Sequence, residues 1–209
     1  MAEIQGVCDP RFEAVYQLLD NNLDSGADTG ASVAVMLGGE LVVDLWGGSV
    51  AANDATPWQH DTIVNVWSTT KTMMALSALL LVDRGLLDVD APVSTYWPEF
   101  AQHGKEHVRV SQFLGHTSGV SGWEKPITLD EVFDWELSTE KLAVQAPWWE
   151  PGTQSGYHAM NQGHLVGEVV RRITGMKLGE FFRKEIAEPF DIDFHIGLSE
   201  DEFGRVATL

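Results

Sequence analysis

The chain is 209 residues long and has a single cysteine, Cys8, so no disulfide can form within it. A lone thiol this close to a terminus reads as a bystander. Positive charge is scarce: 13 Lys and Arg stand against 31 Asp and Glu, a formal net charge of -18. That scarcity excludes the clustered cations that nucleic-acid phosphates and anionic lipid surfaces attract. Neither a nucleic acid nor a membrane is expected as a partner, and the acidity itself reads as solubility. The opening Met-Ala-Glu-Ile-Gln-Gly-Val-Cys-Asp-Pro lacks the basic and apolar segments of a signal peptide, so a cytoplasmic location is expected. The apolar run from Met73 to Val82 is too short to span a bilayer. No repeat, low-complexity tract or linker is visible.

Apolar residues make up 44% of the chain, which suits a globular core of one good-sized domain or two small ones. Residues 11–23 read as a surface helix started by Asp9-Pro10, with Phe12, Val15, Tyr16, Leu18 and Leu19 on its apolar face. Residues 32–37 and 41–46 read as two strands of a hairpin turned at Gly38-Gly39-Glu40. The first strand is apolar at consecutive positions, so burial of both its faces is expected. An isolated hairpin is marginal in water, so the pair asks for more sheet and for covering helices. Residues 47–62 read as loop, and little strand-like sequence follows.

Downstream the pattern is helical. Val110–Leu114 and Thr128–Trp135 read as short helices, the second capped by Thr128 with Glu131 three residues on. Residues 147–156 form a loop carrying Trp148 and Trp149. Residues 161–174 form an amphipathic helix with Leu165, Val166, Val169, Val170 and Ile173 on one face and Gly175 as its stop. A further helix is expected from about Leu178 to Ala187.

The stretch with the most chemistry is Val66-Trp67-Ser68-Thr69-Thr70-Lys71. Behind it lies the apolar run, closed by Asp83-Arg84-Gly85 with Gly at the residue after the C-cap. A helix apolar all round belongs in a core. Ser68 stands at its start, and Lys71 follows three residues later on the same face. A serine needs a base to become a nucleophile, and a lysine deprived of water can serve as one. By itself Ser-x-x-Lys is a weak signal, and an N-cap serine beside a solvated lysine is the more common reading.

Four segments read in order make the pattern specific. They are Ser68-Thr69-Thr70-Lys71, Asp83 to Val93, Leu114-Gly115-His116-Thr117-Ser118-Gly119-Val120, and Pro151-Gly152-Thr153 ahead of Tyr157. In this order the chain resembles the serine β-lactamase and penicillin-binding-protein superfamily, of which Ser-x-x-Lys is a known signature. Gly156-Tyr157-His158-Ala159, Gly163 to Glu168 and Asp193 to Leu198 are most similar to the β-lactamase-like branch called family VIII carboxylesterases. The match runs from about residue 30 onward.

The resemblance implies an α+β fold of the β-lactamase/DD-peptidase kind: an antiparallel sheet flanked by helices, plus a mostly helical domain. Residues 1–66 would form the N-terminal part of the α/β domain, and residues 67–209 the helical domain. It also implies roles. Ser68 would be the acylated nucleophile, and its backbone N–H one half of an oxyanion hole. Lys71 would be the base or would hold the base in place. Tyr157 would act as a phenolate, or as a hydroxyl passing protons between Ser68 and the leaving group. A tyrosine beside a lysine ammonium has its charged form stabilised.

Two departures stand out. Class C lactamases carry Asn two residues after the motif Tyr, and Ala159 occupies that place here. The missing amide would otherwise hold a β-lactam side chain, so an ester substrate is favoured. The superfamily's third box, Lys/His/Trp-x-Gly on a late strand, has no convincing counterpart. The expectation is therefore an incomplete sheet: a truncated or processed chain, or one segment of a larger protein, with a C-terminal segment or second chain completing the sheet.

The weaker signals are read as structural. Gly115 to Gly119 misses the Gly-x-Ser-x-Gly spacing, so Ser118 and Ser121 are expected in turns and His116 in a structural role. His103 and His107 lie four apart with no matching carboxylates, and Gly104 weakens any helix between them. Asp88 and Asp90 read as turn and cap residues. Trp123, Trp148 and Trp149 read as core or cleft wall, with substrate contact as the functional alternative. The expectation is a serine hydrolase of short-chain carboxylic esters, with no metal and no organic cofactor. The rivals are a β-lactamase or D-alanyl-D-alanine peptidase, and an inactive fragment or binding protein on the same fold.

Overall fold

The structure, a computed structural model, describes residues 3–208. The chain divides into two compact units, one spanning Met1–Val66 and Leu198–Leu209, the other Trp67–Gly197. The change at 66/67 coincides with the boundary read from the sequence, but the last twelve residues belong with the first unit and not with the helical one.

The first unit is a helix laid on a sheet. Strand β1 (Ile4–Cys8) leads through a 3-10 turn at Pro10–Phe12 into helix α1 (Glu13–Ser25). The Asp9 side chain accepts the Arg11 N–H to start the turn, and Gly26 in the left-handed region ends the helix. Strands β2 (Gly30–Leu37) and β3 (Glu40–Ala51) form the expected hairpin, turned at Gly38 and Gly39. Strand β4 (Asp54–Pro57) folds back on β3, and all pairings in this sheet are antiparallel. Two short strands, β5 (Ile63–Val64) and β6 (Val206–Ala207), pair in parallel.

The structure departs from the sequence reading here. The stretch expected to be loop from residue 47 is partly strand, because β3 continues to Ala51 and returns as β4. Ile4–Cys8, unread as structure in the sequence, is a strand paired with β3. Strand β2 lies at the edge of the sheet order β1-β3-β2 and buries only one face. Ala31, Val33 and Val35 pack toward α1, while Ser32, Ala34 and Met36 are exposed. Helix α1 meets the sheet through Leu19 and Leu23 against Val43 and Leu45, each worth roughly 1.5–3 kcal/mol when fully buried. Leu18, expected on that face, is exposed. The close approach depends on Gly48, where φ is +84° and a Cβ would stand 2.9 Å from Leu23 Cδ2.

The second unit is helical. A 3-10 turn at Trp67–Thr69 runs into α2 (Thr70–Asp83), which stops at Gly85 with φ +68°. Then come α3 (Val110–Leu114), α4 (Leu129–Phe133), α5 (Trp135–Val144), α6 (Gln162–Thr174) and α7 (Leu178–Phe182). Residues Arg183–Ala187 continue α7 as a wider π turn. Helix α2 buries the stripe Met74, Ala78 and Leu81 against α6 and α7. Its other face is open, with Leu76 and Leu79 exposed, so the full burial expected of this helix is not found.

The Thr128 capping box with Glu131 starts α4 as read. The helix expected to end at Trp135 is followed at once by α5, started by the Asp134 carboxylate on the Leu137 N–H. Helix α6 keeps its expected face and its Gly175 stop. On its other side Glu168 is buried and answered by Arg171, Arg172 and the Trp135 indole N–H. The fully buried Lys105 ammonium donates to the Ala143 and Gln145 carbonyls at the end of α5. Among the described residues no helix is long and apolar enough to cross a membrane.

Candidate active site

Ser68 sits in the tight turn that feeds α2. Its neighbour Trp67 has φ +47°, a left-handed conformation that few bulky residues adopt and that is worth about 1–3 kcal/mol of strain. The turn leaves Ser68 exposed at the mouth of the helix and sets Lys71 on the first helical turn behind it. Lys71 Nζ donates to Ser68 Oγ at 3.1 Å and to the Ala159 carbonyl at 2.9 Å. The Tyr157 hydroxyl lies 2.6 Å from Ser68 Oγ, and Lys71 Nζ is 5.0 Å from the Tyr157 ring centroid. The three residues singled out in the sequence thus meet at one oxygen atom.

Their environments differ. Tyr157 is 55% exposed and Lys71 is half-buried. Two acceptors, Ser68 Oγ and the Ala159 carbonyl, hold the Lys71 ammonium in place. Tyr157 is pulled below the ordinary tyrosine pKa, chiefly by its hydrogen bond with Ser68; loss of water pushes the other way, and the nearby Lys71 ammonium adds to the lowering. Tyrosine and serine hydroxyls each donate and accept, so a proton can pass either way along this contact.

The loop carrying Tyr157 is clamped from beneath by residues read as merely structural. His116, at φ +60°, accepts the Gly156 N–H on its carbonyl at 3.0 Å and the His158 N–H on ring Nδ1 at 3.1 Å. Its ring lies 4.7 Å from the Tyr157 ring, centroid to centroid. Burial, and then the Lys71 charge, hold His116 below the usual histidine range. Ser118 and Ser121 occupy bends, as expected. Ser118 is nevertheless completely buried and bonded to His158 Nε2 at 2.6 Å. His158 Nδ1 faces the Gly156 carbonyl at 2.6 Å, an acceptor only, so Nδ1 carries the proton and Nε2 accepts from Ser118. Sequence reasoning passed over His158 and the Ala159 carbonyl. The signal for His158 was its place beside Tyr157; for a main-chain oxygen there is none.

Of the three tryptophans, Trp149 is the one tied to the Tyr157 loop. It donates its N–H to the Gln154 carbonyl and lies on Gly156, where a Cβ would stand 2.3 Å from Trp149 Cη2. Trp148 is half exposed and covers Gly122. Trp123 donates to the Ser138 carbonyl and stands edge-on to His164, contacts that fix it to α5 and α6. Asn161 is buried and donates to the Val120 carbonyl, so its amide is turned into the core. Asp88 accepts the Asp90 N–H in a turn. His103 and Gly104 both have positive φ, so no helix presents His103 and His107 on one face. Among the described residues no three His, Cys, Asp or Glu side chains converge as metal ligands.

The family model described as Beta-lactamase matches residues 16–209. The esterase/beta-lactamase LipL of Mycobacterium tuberculosis is 37% identical over 193 residues, covering 92% of this chain and 44% of LipL. Among solved structures, a family VIII carboxylesterase is 44% identical with a TM-score of 0.92, covering 98% of this chain and 57% of that one. A penicillin-binding protein homolog from Caulobacter crescentus is 42% identical with a TM-score of 0.94, covering 99% and 56%. The chain spans about half the length of the relatives it matches.

Proposed function

Because this chain belongs to the beta-lactamase family, we propose that it carries the nucleophile and the general base of a serine carboxylesterase. The observation that supports this most directly is the convergence of Lys71 Nζ and the Tyr157 hydroxyl on Ser68 Oγ, at 3.1 and 2.6 Å. The names of LipL and of the family VIII carboxylesterase point the same way.

In this reading Ser68 Oγ attacks the carbonyl carbon of a short-chain ester while its proton passes to the Tyr157–Lys71 pair. The Tyr157 phenolate, favoured by Ser68 and Lys71, is the atom placed to receive it. The carbonyl π electrons become an oxyanion, stabilised in part by the Ser68 backbone N–H at the entrance to α2. Collapse re-forms the carbonyl and breaks the bond to the alkoxide, which takes the proton back from Tyr157. The acyl group is left on Ser68. Water then attacks the acyl carbon and yields its proton to the same pair; the bond from the acyl carbon to Ser68 Oγ breaks, Oγ takes that proton back, and the acid leaves. No step calls for a metal or an organic cofactor. A further segment or second chain pairing with the sheet belongs to this reading, supported by the greater length of the relatives.

A second reading, β-lactam or D-alanyl-D-alanine turnover, is supported by the likeness to the penicillin-binding protein homolog. Ala159 weighs for esters, since it lacks the side-chain amide that class C lactamases carry at this place. The test is intact mass of the full protein before and after a fluorophosphonate, with p-nitrophenyl butyrate and nitrocefin turnover measured in parallel. The expected result is one adduct, on the peptide holding Ser68, and ester turnover that Ser68→Ala abolishes. Unaltered turnover in Ser68→Ala overturns the proposal. Absence of any adduct identifies the chain as an inactive member of the family.

A further inference from the structure

We propose that His116 is a positioning residue for Tyr157, a neutral imidazole that must stay unprotonated at Nδ1 for the phenol to remain on Ser68. The inference rests on the esterase reading above and deepens it.

Three contacts carry it. The His116 carbonyl accepts the Gly156 N–H at 3.0 Å, immediately before Tyr157. Its Nδ1 accepts the His158 N–H at 3.1 Å, immediately after. Its ring lies against the Tyr157 ring, 4.7 Å between centroids. One residue therefore holds the peptide on both sides of Tyr157 and braces the side chain between them. Tyr157 itself is more than half exposed, and besides His116 its side chain is held by the Ser68 contact at the hydroxyl and by Lys71 beside the ring. The left-handed backbone of His116, φ +60°, is what turns the carbonyl and the ring toward the same loop.

The Nδ1 contact works in one protonation state only. A backbone N–H is a donor, so Nδ1 must offer a lone pair and the ring proton must sit on Nε2. Protonating Nδ1 sets two donors against each other at 3.1 Å and releases the His158 side of the loop. Three titratable groups face His116: Lys71 from α2, and Tyr157 and His158 from the loop itself. Lys71 is a cation, and burial holds His158 below the usual histidine range, against the opposing pull of its bond to the Gly156 carbonyl. Both surroundings resist a second positive charge, in line with the lowered His116 pKa. Acid that overcomes this resistance would move Tyr157 away from Ser68 before it touched the rest of the fold.

The experiment compares the wild type with His116→Gly and His116→Asn in the full protein. Glycine removes the ring without straining a backbone at positive φ. Asparagine tolerates that backbone and keeps an acceptor at the reach of Nδ1, but it does not titrate. For p-nitrophenyl butyrate, His116→Gly is expected to lower kcat about 10²-fold with KM within about twofold, the signature of a misplaced group. His116→Asn is expected to recover kcat to within about tenfold and to lack the acidic inflection expected of the wild type below pH ~6.5. An unchanged acidic inflection in His116→Asn, or full kcat in His116→Gly, overturns the proposal. If His116→Gly does not fold, the Asn profile alone decides.

Ring ¹⁵N and Tyr157 ring spectra separate this idea from the esterase reading. A wild type with neither turnover nor a Ser68 adduct refutes the esterase reading, and the spectra then judge His116 by themselves. An Nε2–H tautomer whose protonation shifts the Tyr157 signals supports the coupling. Tyr157 signals indifferent to His116 titration overturn it.

Discussion

Lys71 Nζ and the Ala159 carbonyl oxygen are joined at 2.9 Å across 88 positions of sequence. The lysine that faces Ser68 is thus anchored by the main chain of the loop that presents Tyr157. This bond does not depend on which side chain stands at position 159.

Ala159 is exposed and has room for a larger group. Ala159→Asn is therefore expected to leave fluorophosphonate labelling of Ser68 within about threefold of wild type, as surface changes usually do. It should raise the ratio of nitrocefin to ester turnover by roughly tenfold, the worth of one added hydrogen bond. Lys71→Arg should lower labelling by about 10²-fold or more, because a guanidinium neither fits the point contact with Ser68 nor gives up a proton.

Tyr157→Phe removes one oxygen and keeps the ring against His116. Acylation should slow by about 10²–10⁴-fold, with no loss of melting temperature. In the wild type the phenolate population grows as pH rises through a value below the ordinary tyrosine pKa, so acylation should climb with pH and level off below pH ~10. Stopped-flow acylation rates from pH 6 to 11 check the sign. A rate that falls with pH over this span would contradict the assignment of Tyr157 as base.

A methyl group on Gly156 would meet the Trp149 indole at 2.3 Å, so Gly156→Ala must push either the indole or the Tyr157 loop aside. Expected is a loss of ester turnover of about 10²-fold, consistent with a displacement near 1 Å at a reacting group. Adding Trp149→Leu should restore part of it. Full activity in the single variant would show that the indole, and not the loop, gives way.

Lys105 is buried, and its pKa is pushed down to about 8 by loss of water. Between that value and the ordinary lysine value of 10.5 the unfolded chain binds a proton that the folded chain does not. Stability therefore rises with pH through this window, by an amount on the order of a few kcal/mol. Lys105→Met should abolish this part of the pH dependence, read as urea midpoints at pH 7.5 and 10. It also leaves the Ala143 and Gln145 carbonyls without their donor, so the variant should be less stable than wild type at the higher pH.

The site was legible in the sequence where its chemistry resides in side chains at fixed spacing. Ser68 and Lys71 share a helix turn, and Tyr157 follows Pro-Gly-Thr. It was illegible where main-chain atoms do the holding, as at Ala159, or where a buried pair such as Ser118 and His158 comes from two separate loops. The fold follows the same division. The Thr128 capping box and the Gly38-Gly39 turn are local signals and were read correctly. Strand β1 has Gly6 at its centre and weak alternation, and it owes its form to pairing with β3. Helix α5 lacks a clear apolar stripe and follows α4 with only Asp134 between them, so the sequence showed a helix over Thr128–Trp135 and not the one after it. The all-apolar pattern of α2 announced burial but could not say that only the Met74, Ala78 and Leu81 side would receive it in this chain.

The buried Ser118–His158 contact gives the molecule an internal blank for covalent probes. At 2.6 Å it has the hydrogen bond of an activated hydroxyl, yet Ser118 has no exposure to reagent. Unfolding would expose Ser118 and at the same moment part it from His158, so this serine is shielded while paired and unactivated once exposed. A fluorophosphonate adduct is therefore expected on the Ser68 peptide, and the signal on the Ser118 peptide of the same digest measures non-specific labelling, without a second protein as reference.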